Sequence, residues 1–212
     1  MKVTANIKVL VVDDSLLFRE TLAKELAKDF GVEVVGTAAD AFEAREKIIL
    51  LKPDVVTLDI EMPKIDGIAF LKQLMPQYPV PVVVISSIGD MVFNALNAGA
   101  VDFATKPEVY SAGTLDAFIR EVIIKIKIAS MAKVGIHKKN YVPDSPHADI
   151  DADTSEAIVV IGASTGGTEA IYSIIKALPR NMPGILVVQH MPAVFTRLYA
   201  ERLNNSCALE VK

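Results

Sequence analysis

Five strand-length apolar runs, each followed by a helical pattern, fill the first 131 residues, and this alternation limits the possible folds more than any other feature of the chain. Residues 7–12 are the first run, and the pattern behind them places Leu22, Leu26 and Phe30 at four-residue spacing on one helix face. Residues 32–36 and 54–58 read as the second and third strands, with a helix over 41–51 that Pro53 closes and another over 68–74. Residues 80–85 and 101–104 follow as strands. Helices are expected over 91–97, where Gly99 supplies the cap, and over about 115–131, where Phe118, Val122 and Ile126 are in register. Strands that are apolar throughout are buried on both faces, so the expected fold is α/β: a doubly wound, five-stranded parallel sheet with helices on both sides.

Composition agrees with a globular chain, at 51% hydrophobic and 23% charged residues. A formal net charge of −4 argues against nucleic acid as a main partner, because phosphate backbones call for a basic face. No apolar run reaches membrane-spanning length, and Lys125 and Lys127 interrupt the most apolar late segment. Asp13 and Asp14 end the first apolar run too early for a secretory signal. A single cysteine, Cys207, forms no internal disulfide, so a cytoplasmic location is expected and Cys207 reads as a small semi-buried side chain.

Residues 132–156 change character. Pro143 and Pro146 lie in them, helical periodicity is lost, and the charge runs from Lys133, Lys138 and Lys139 to Asp149, Asp151 and Asp153. This is an interdomain linker by composition, and His137 and His147 within it read as solvated bystanders. A second βα pattern then begins, with strands expected over 157–161 and 185–188 and helices over 168–178 and 193–203. Residues 209–212 look like the opening of a further strand. Three segments follow: 1–131, the linker 132–156, and 157–212 as the first βαβα portion of a second parallel α/β domain.

In an open parallel sheet, ligands gather beyond the carboxyl ends of the strands. Asp13 and Asp14 end the first strand, Asp59 the third, Ser86 the fourth and Lys106 the fifth. Any one of these alone is most simply a turn residue. Together they bring three acids, a hydroxyl and a cation to one edge. Clustered carboxylates repel unless a cation lies among them, and Mg²⁺ suits a set of hard oxygen ligands that leaves room for water and phosphate. With that charge offset, Asp59 is a carboxylate nucleophile for a phosphoryl group, while Ser86 and Lys106 are placed to bind the product.

The stretches VVDDS, LDIEMPKIDG, VISS and FATKP resemble a response-regulator receiver domain of flavodoxin-like fold, with matches through residues 7 to about 130. The resemblance implies Asp59 as phosphoacceptor and Asp13, Asp14 and Asp59 as Mg²⁺ ligands, with Glu61 adding its backbone carbonyl. It also implies Ser86 as the switch hydroxyl, Phe103 as the switch aromatic, Lys106 as the phosphate-pairing lysine, and a cis bond before Pro107. A histidine kinase is the implied phosphodonor.

Residues 161–167 read Ile-Gly-Ala-Ser-Thr-Gly-Gly and join a strand to a helix. They satisfy G-x-S-x-G, in which a sharp turn lifts the serine hydroxyl above the sheet and the next backbone N–H, here that of Thr165, faces an oxyanion. The rival reading is a tight glycine turn. A phosphate loop does not fit, since no lysine follows the glycines and Ser164 replaces the second glycine of the dinucleotide pattern. His190 ends the next strand, where a crossover places it on the same edge as Ser164 and a neutral imidazole can take the serine proton. VIGASTGGTEA and VVQHMPAVFT resemble the catalytic domain of CheB-type chemotaxis methylesterases. That family hydrolyses glutamyl methyl esters on methyl-accepting chemoreceptors and deamidates receptor glutamines, without a cofactor, under control of a phosphorylated receiver. Ser164 matches its nucleophile and His190 its general base; Phe195 and Arg197 fall in the matching stretch without assigned chemistry.

The family's third triad member is a late strand-end aspartate, and after His190 the only acids are Glu201 and Glu210. The 56 residues from 157 onward are also far fewer than that domain has, so the expectation is a truncated catalytic domain and an inactive 212-residue chain. Two readings stand: a phosphorylation-controlled protein-glutamate methylesterase and glutamine deamidase, or a phosphoryl-accepting receiver without esterase activity.

Overall fold

A computed structural model describes residues 6–87, 89–107, 111–135 and 157–212. Contacts divide the chain into two compact units, Met1–Ile136 and His137–Lys212. The charged and proline-bearing part of the expected linker, with His137 and His147, lies outside the described residues.

The first unit alternates β1 (Ile7–Val12), α1 (Leu16–Leu26), β2 (Val32–Ala38), α2 (Ala41–Leu51), β3 (Val55–Asp59), α3 (Gly67–Leu74), β4 (Val82–Ser86), α4 (Gly89–Asn97), β5 (Asp102–Thr105) and α5 (Ala112–Ala129). All pairings are parallel, in the order β2-β1-β3-β4-β5. The reversal between β1 and β3 opens a crevice at the carboxyl edge, where such sheets bind ligands. β3 and β4 are buried at every position, as central parallel strands covered on both faces require, and they take Thr57, Asp59 and Ser86 inside with them. Val9, Val11, Val83 and Ile85 pack under α1 and α5, through Phe18, Leu22, Phe118 and Val122 among others.

Local chemistry sets the helix starts. Ser15, Asp40 and Asp66 each cap a helix by accepting backbone N–H bonds on a side-chain oxygen. Ser111 and Thr114 form a reciprocal capping box at α5.

Three expectations are corrected. α1 stops at Leu26, and Phe30 is 99% exposed beyond it, because the chain turns through Lys28 and Asp29 to start β2 rather than adding another helical turn. The peptide bond before Pro107 is trans, a form that X-Pro bonds adopt at little cost either way. Residues 209–212 form no strand; the Val211 N–H is taken by Asn204 Oδ1 at 2.9 Å, so the ladder is replaced by a side-chain contact.

The second unit holds β6 (Ile158–Ala163), α6 (Gly167–Ala177), β7 (Gly184–Gln189) and α7 (Ala193–Ser206). Its two strands pair in parallel from Ile158↔Gly184 to Ala163↔Gln189. Ile171, Ile175, Phe195, Tyr199 and Leu203 of α6 and α7 are buried. Ile158, Val160, Leu186 and Val188 are exposed, so one sheet face is apolar and bare. Two strands and two helices cover only one side.

Among the described residues no helix is long and apolar enough to cross a membrane.

Candidate functional site

β1, β3 and β5 end at one edge of the first sheet and deliver Asp13, Asp59 and Lys106 there. Lys106 Nζ lies 2.7 Å from Asp59 Oδ2 and 2.8 Å from Asp13 Oδ2. The first contact is an aligned hydrogen bond and the second is ionic without that alignment. Asp13 and Asp59 are buried, whereas Asp14 faces solvent. One carboxylate oxygen from each of the three acids lies within 4.8 Å of the other two. The remaining Asp59 oxygen, Oδ1, accepts the Glu61 N–H at 3.1 Å. The Glu61 side chain turns outward and accepts the Ser87 hydroxyl at 2.6 Å.

Burial pushes the Asp59 carboxyl up to about 6, and the hydrogen bond and charge of Lys106 oppose that rise without cancelling it. Asp13 is raised for the same reason, again against Lys106. At Lys106 burial favours the neutral amine, but the bonds to both carboxylates outweigh it and the net shift is upward.

The supports of this rim come from backbone and from residues that carry no motif. Asp13 Oδ1 accepts the Ser15 N–H at 3.0 Å, and the Arg19 guanidinium, itself buried, donates to the Asp13 carbonyl at 2.6 Å and the Asp14 carbonyl at 3.4 Å. Arg19 thus holds the turn between β1 and α1. Nothing in the sequence pattern marks it, because an arginine on an amphipathic helix reads as a solvated charge. On β5's side, the Lys106 N–H bonds the Ser86 carbonyl at 3.1 Å. Ser86 is buried at the end of β4 opposite Thr105. Phe103 is buried in β5, with Lys125 Nζ 5.4 Å from its ring centroid and Lys125 also paired to Asp102 at 3.1 Å. Gly67 opens α3 so close to the end of β3 that a Cβ there would collide with the Asp59 carbonyl oxygen and lie 2.9 Å from Ile60 Cα.

In the second unit, Ser164 and His190 are neighbours at the ends of β6 and β7. The His190 N–H donates to the Ala163 carbonyl at 3.0 Å, and the Gln189 side-chain amide donates to the Ser164 carbonyl at 2.9 Å and the His190 carbonyl at 3.1 Å. The turn is tight: Gly167 N–H bonds the Ser164 carbonyl at 2.8 Å and Gly166 takes φ 74°, a conformation glycine adopts without penalty. Ser164 and His190 both face solvent, and Thr165 is half-buried between Ser164 and the start of α6. No hydrogen bond joins the serine hydroxyl to the imidazole among the described residues. Glu201 pairs with Arg197 at 3.1 Å and Glu210 with Lys212 at 3.1 Å, so neither acid orients His190.

Comparison with known proteins matches the response regulator receiver domain family over residues 9–117 and the CheB methylesterase family over residues 159–212. A protein-glutamate methylesterase/protein-glutamine glutaminase of Syntrophomonas wolfei is 56% identical over 98% of this chain and 60% of its own length. Its counterpart in Syntrophotalea carbinolica is 51% identical over 98% of this chain and 61% of its own. The chain therefore spans about three-fifths of the length of these relatives. The crystal structure of the response regulator domain of Thermotoga maritima CheB superposes with a TM-score of 0.57 at 42% identity, covering 60% of this chain and 98% of that one. With the paired acids, the bridging lysine and the five-stranded order in place, the chain belongs to the response-regulator receiver family, in its CheB-type branch, and runs on into CheB methylesterase sequence.

Proposed function

We propose that Asp59 accepts a phosphoryl group from a chemotaxis histidine kinase and that this modification controls a serine-dependent hydrolase acting on methylated or amidated glutamates of chemoreceptors. The observation that carries the first half is the Lys106 ammonium bridging the buried Asp13 and Asp59 within 2.8 Å, with the exposed Asp14 beside them. The residues fit a hard divalent ion: all three side chains offer carboxylate oxygens, and Asp13 Oδ2 is buried without an aligned hydrogen-bond donor. Asp13, Asp14 and Asp59, with the Glu61 carbonyl, would hold Mg²⁺, which when bound offsets the charge of the phosphoryl oxygens.

An Asp59 carboxylate oxygen attacks phosphorus, the new O–P bond forms, and the P–N bond to the donor histidine breaks with its electron pair passing to the imidazole. Lys106 then pairs with a phosphoryl oxygen and the Ser86 hydroxyl hydrogen-bonds another. Phe103, two residue pairs from Ser86 along the neighbouring strand, is the aromatic whose packing would report the change. The domains assigned to this reading are 1–131 for the receiver, 132–156 for the linker and 157–212 for the methylesterase segment.

In that segment Ser164 is the proposed nucleophile, His190 its general base and the Thr165 N–H an oxyanion donor. The serine oxygen bonds the ester carbon as the proton moves to His190, and methanol leaves with that proton; water then releases the glutamate. Glu201 and Glu210 are paired with Arg197 and Lys212, so no acid for orienting His190 is assigned among the described residues.

The test is twofold. Radiolabel from a small phosphodonor with Mg²⁺ is expected as acid-labile phosphate that Asp59→Asn abolishes; label persisting in that variant sinks the phosphoacceptor assignment. Methanol release from methylated receptor membranes is expected of a chain of the relatives' length and lost in Ser164→Ala. Undiminished release by that variant overturns the serine mechanism.

A further inference from the structure

Phe18 belongs to none of the recognised motifs, yet it touches the centre of the acid cluster. It lies in the first turn of α1, 8% exposed, and Lys106 Nζ lies over its ring, 4.7 Å from the centroid. The ring leans on Phe118 of α5, with centroids 6.0 Å apart and planes tilted by 50°. The Phe18 N–H donates to the Ser15 hydroxyl at 3.4 Å, and the Ser15 N–H donates to Asp13 Oδ1 at 3.0 Å. One short turn therefore fixes both the carboxylate and the aromatic face presented to the same ammonium.

We propose that Phe18 is a positioning residue for phosphoryl acceptance, its ring face holding the Lys106 ammonium at the depth where it bridges Asp13 and Asp59. A lysine ammonium sits on a flexible four-carbon stem and carries no directional fork, so its place is set by what surrounds it. Two of its partners are carboxylates, and one changes during the reaction: once Asp59 bonds phosphorus it is an acyl phosphate and its oxygen no longer carries the same charge. The attraction of a cation to an aromatic quadrupole does not depend on that step. Phe18 and Asp13 are the partners that are the same before and after transfer, and of the two only the ring holds the ammonium without adding charge. It keeps Lys106 from following the carboxylate or swinging to solvent, and leaves it poised for a phosphoryl oxygen. Packing against Phe118 prevents the ring from turning its edge to the ammonium.

This inference rests on Asp59 being the phosphoacceptor. The test replaces Phe18 in the 212-residue chain with mono-, di- and trifluorinated phenylalanine, which keep the ring's shape and weaken its quadrupole stepwise. Acetyl phosphate with Mg²⁺ is the donor. The logarithm of the Asp59 labelling rate is expected to fall linearly along the series, reaching about three- to tenfold at the trifluoro ring. The melting temperature should stay level, and Phe18→Leu should lose at least as much rate. A readout free of metal and phosphate is the Lys106 ε-methylene proton signal, expected upfield from the ring current and returned to its ordinary position in Phe18→Leu. A flat rate series in a chain that takes up label, or a Lys106 signal that Phe18→Leu leaves in place, overturns the role of Phe18 alone. Absence of label in the unsubstituted chain overturns the phosphoacceptor reading and this inference with it.

Discussion

Asp59 is 1% exposed, yet the proposed phosphoryl transfer needs it as an anion. Its carboxyl is pushed from 3.8 up to about 6, with burial as the leading cause. A carboxyl raised in the folded state binds its proton more tightly there than in the unfolded chain. Its contribution to stability is therefore complete below pH 3.8 and is lost as pH rises through about 6. Asp29, Asp40 and Glu43 are lowered, by the hydrogen bonds of Lys127, of the Glu43 N–H and of Lys47 respectively, and so act with the opposite sign, only in the acid range below their ordinary values of 3.8 to 4.5. Without divalent metal, the receiver transition is thus expected to move to lower temperature between pH 5 and pH 8, and Asp59→Asn to flatten that slope. Calorimetry of both chains at the two pH values checks it, and an equal slope in both refutes it. Arg19 is the other residue whose role is fixed by contact rather than by motif. Arg19→Met keeps the stem and removes a buried charged donor from two carbonyls, an expected loss of about 2 kcal/mol in urea denaturation, together with slower labelling of Asp59. A variant as stable as the parent would show that the Asp13–Asp14 turn holds itself.

At the level of elements, the close approach of α3 to β3 gives a sharp comparison between two glycines. Gly67→Ala drives a methyl group into the Asp59 carbonyl and Ile60 Cα, which are backbone and cannot rotate away, so about 1–3 kcal/mol should be lost. Gly113 near the start of α5 has nothing within 4 Å of an added Cβ, and Gly113→Ala should gain roughly 0.5 kcal/mol through helix propensity. Urea midpoints of the two variants are expected on opposite sides of the parent. The elements themselves were legible in the sequence because buried parallel strands read as uninterrupted apolar runs, and the strand-end acids were legible because the edge of such a sheet is where polar residues interrupt them. What escaped depended on distance in space. Phe30 continued the spacing of Leu22 and Leu26, but periodicity carries no signal for where a chain turns back. Residues 209–212 are apolar enough for a strand, yet a strand needs a partner and local composition does not supply one. Phe18 and Arg19 fit the ordinary pattern of a helix, so only the fold shows that one faces Lys106 and the other holds two carbonyls.

Taken whole, the molecule is unevenly built. The first unit buries both faces of its sheet, whereas β6 and β7 leave Ile158, Val160, Leu186 and Val188 open to water. Small units with partly covered sheets retain little stability against local opening. Two transitions in urea are therefore expected, with amides of residues 157–212 exchanging at lower denaturant than those of residues 6–87. Hydrogen exchange read by mass spectrometry distinguishes this from a single cooperative step, which would require the two units to unfold together.

The acid cluster has one more consequence, and it concerns valence. Three carboxylates set against one ammonium leave the rim two negative charges in excess when all are ionised. A phosphate-bearing donor, as proposed for Asp59, is anionic too, so the bare rim would repel it. Monovalent salt only softens that repulsion, over a screening length of about 8 Å at physiological strength. The deficit matches a single dication in magnitude, so under the proposed phosphoacceptor role the supply of divalent ions, rather than general ionic strength, is expected to set whether the signal can be written at all.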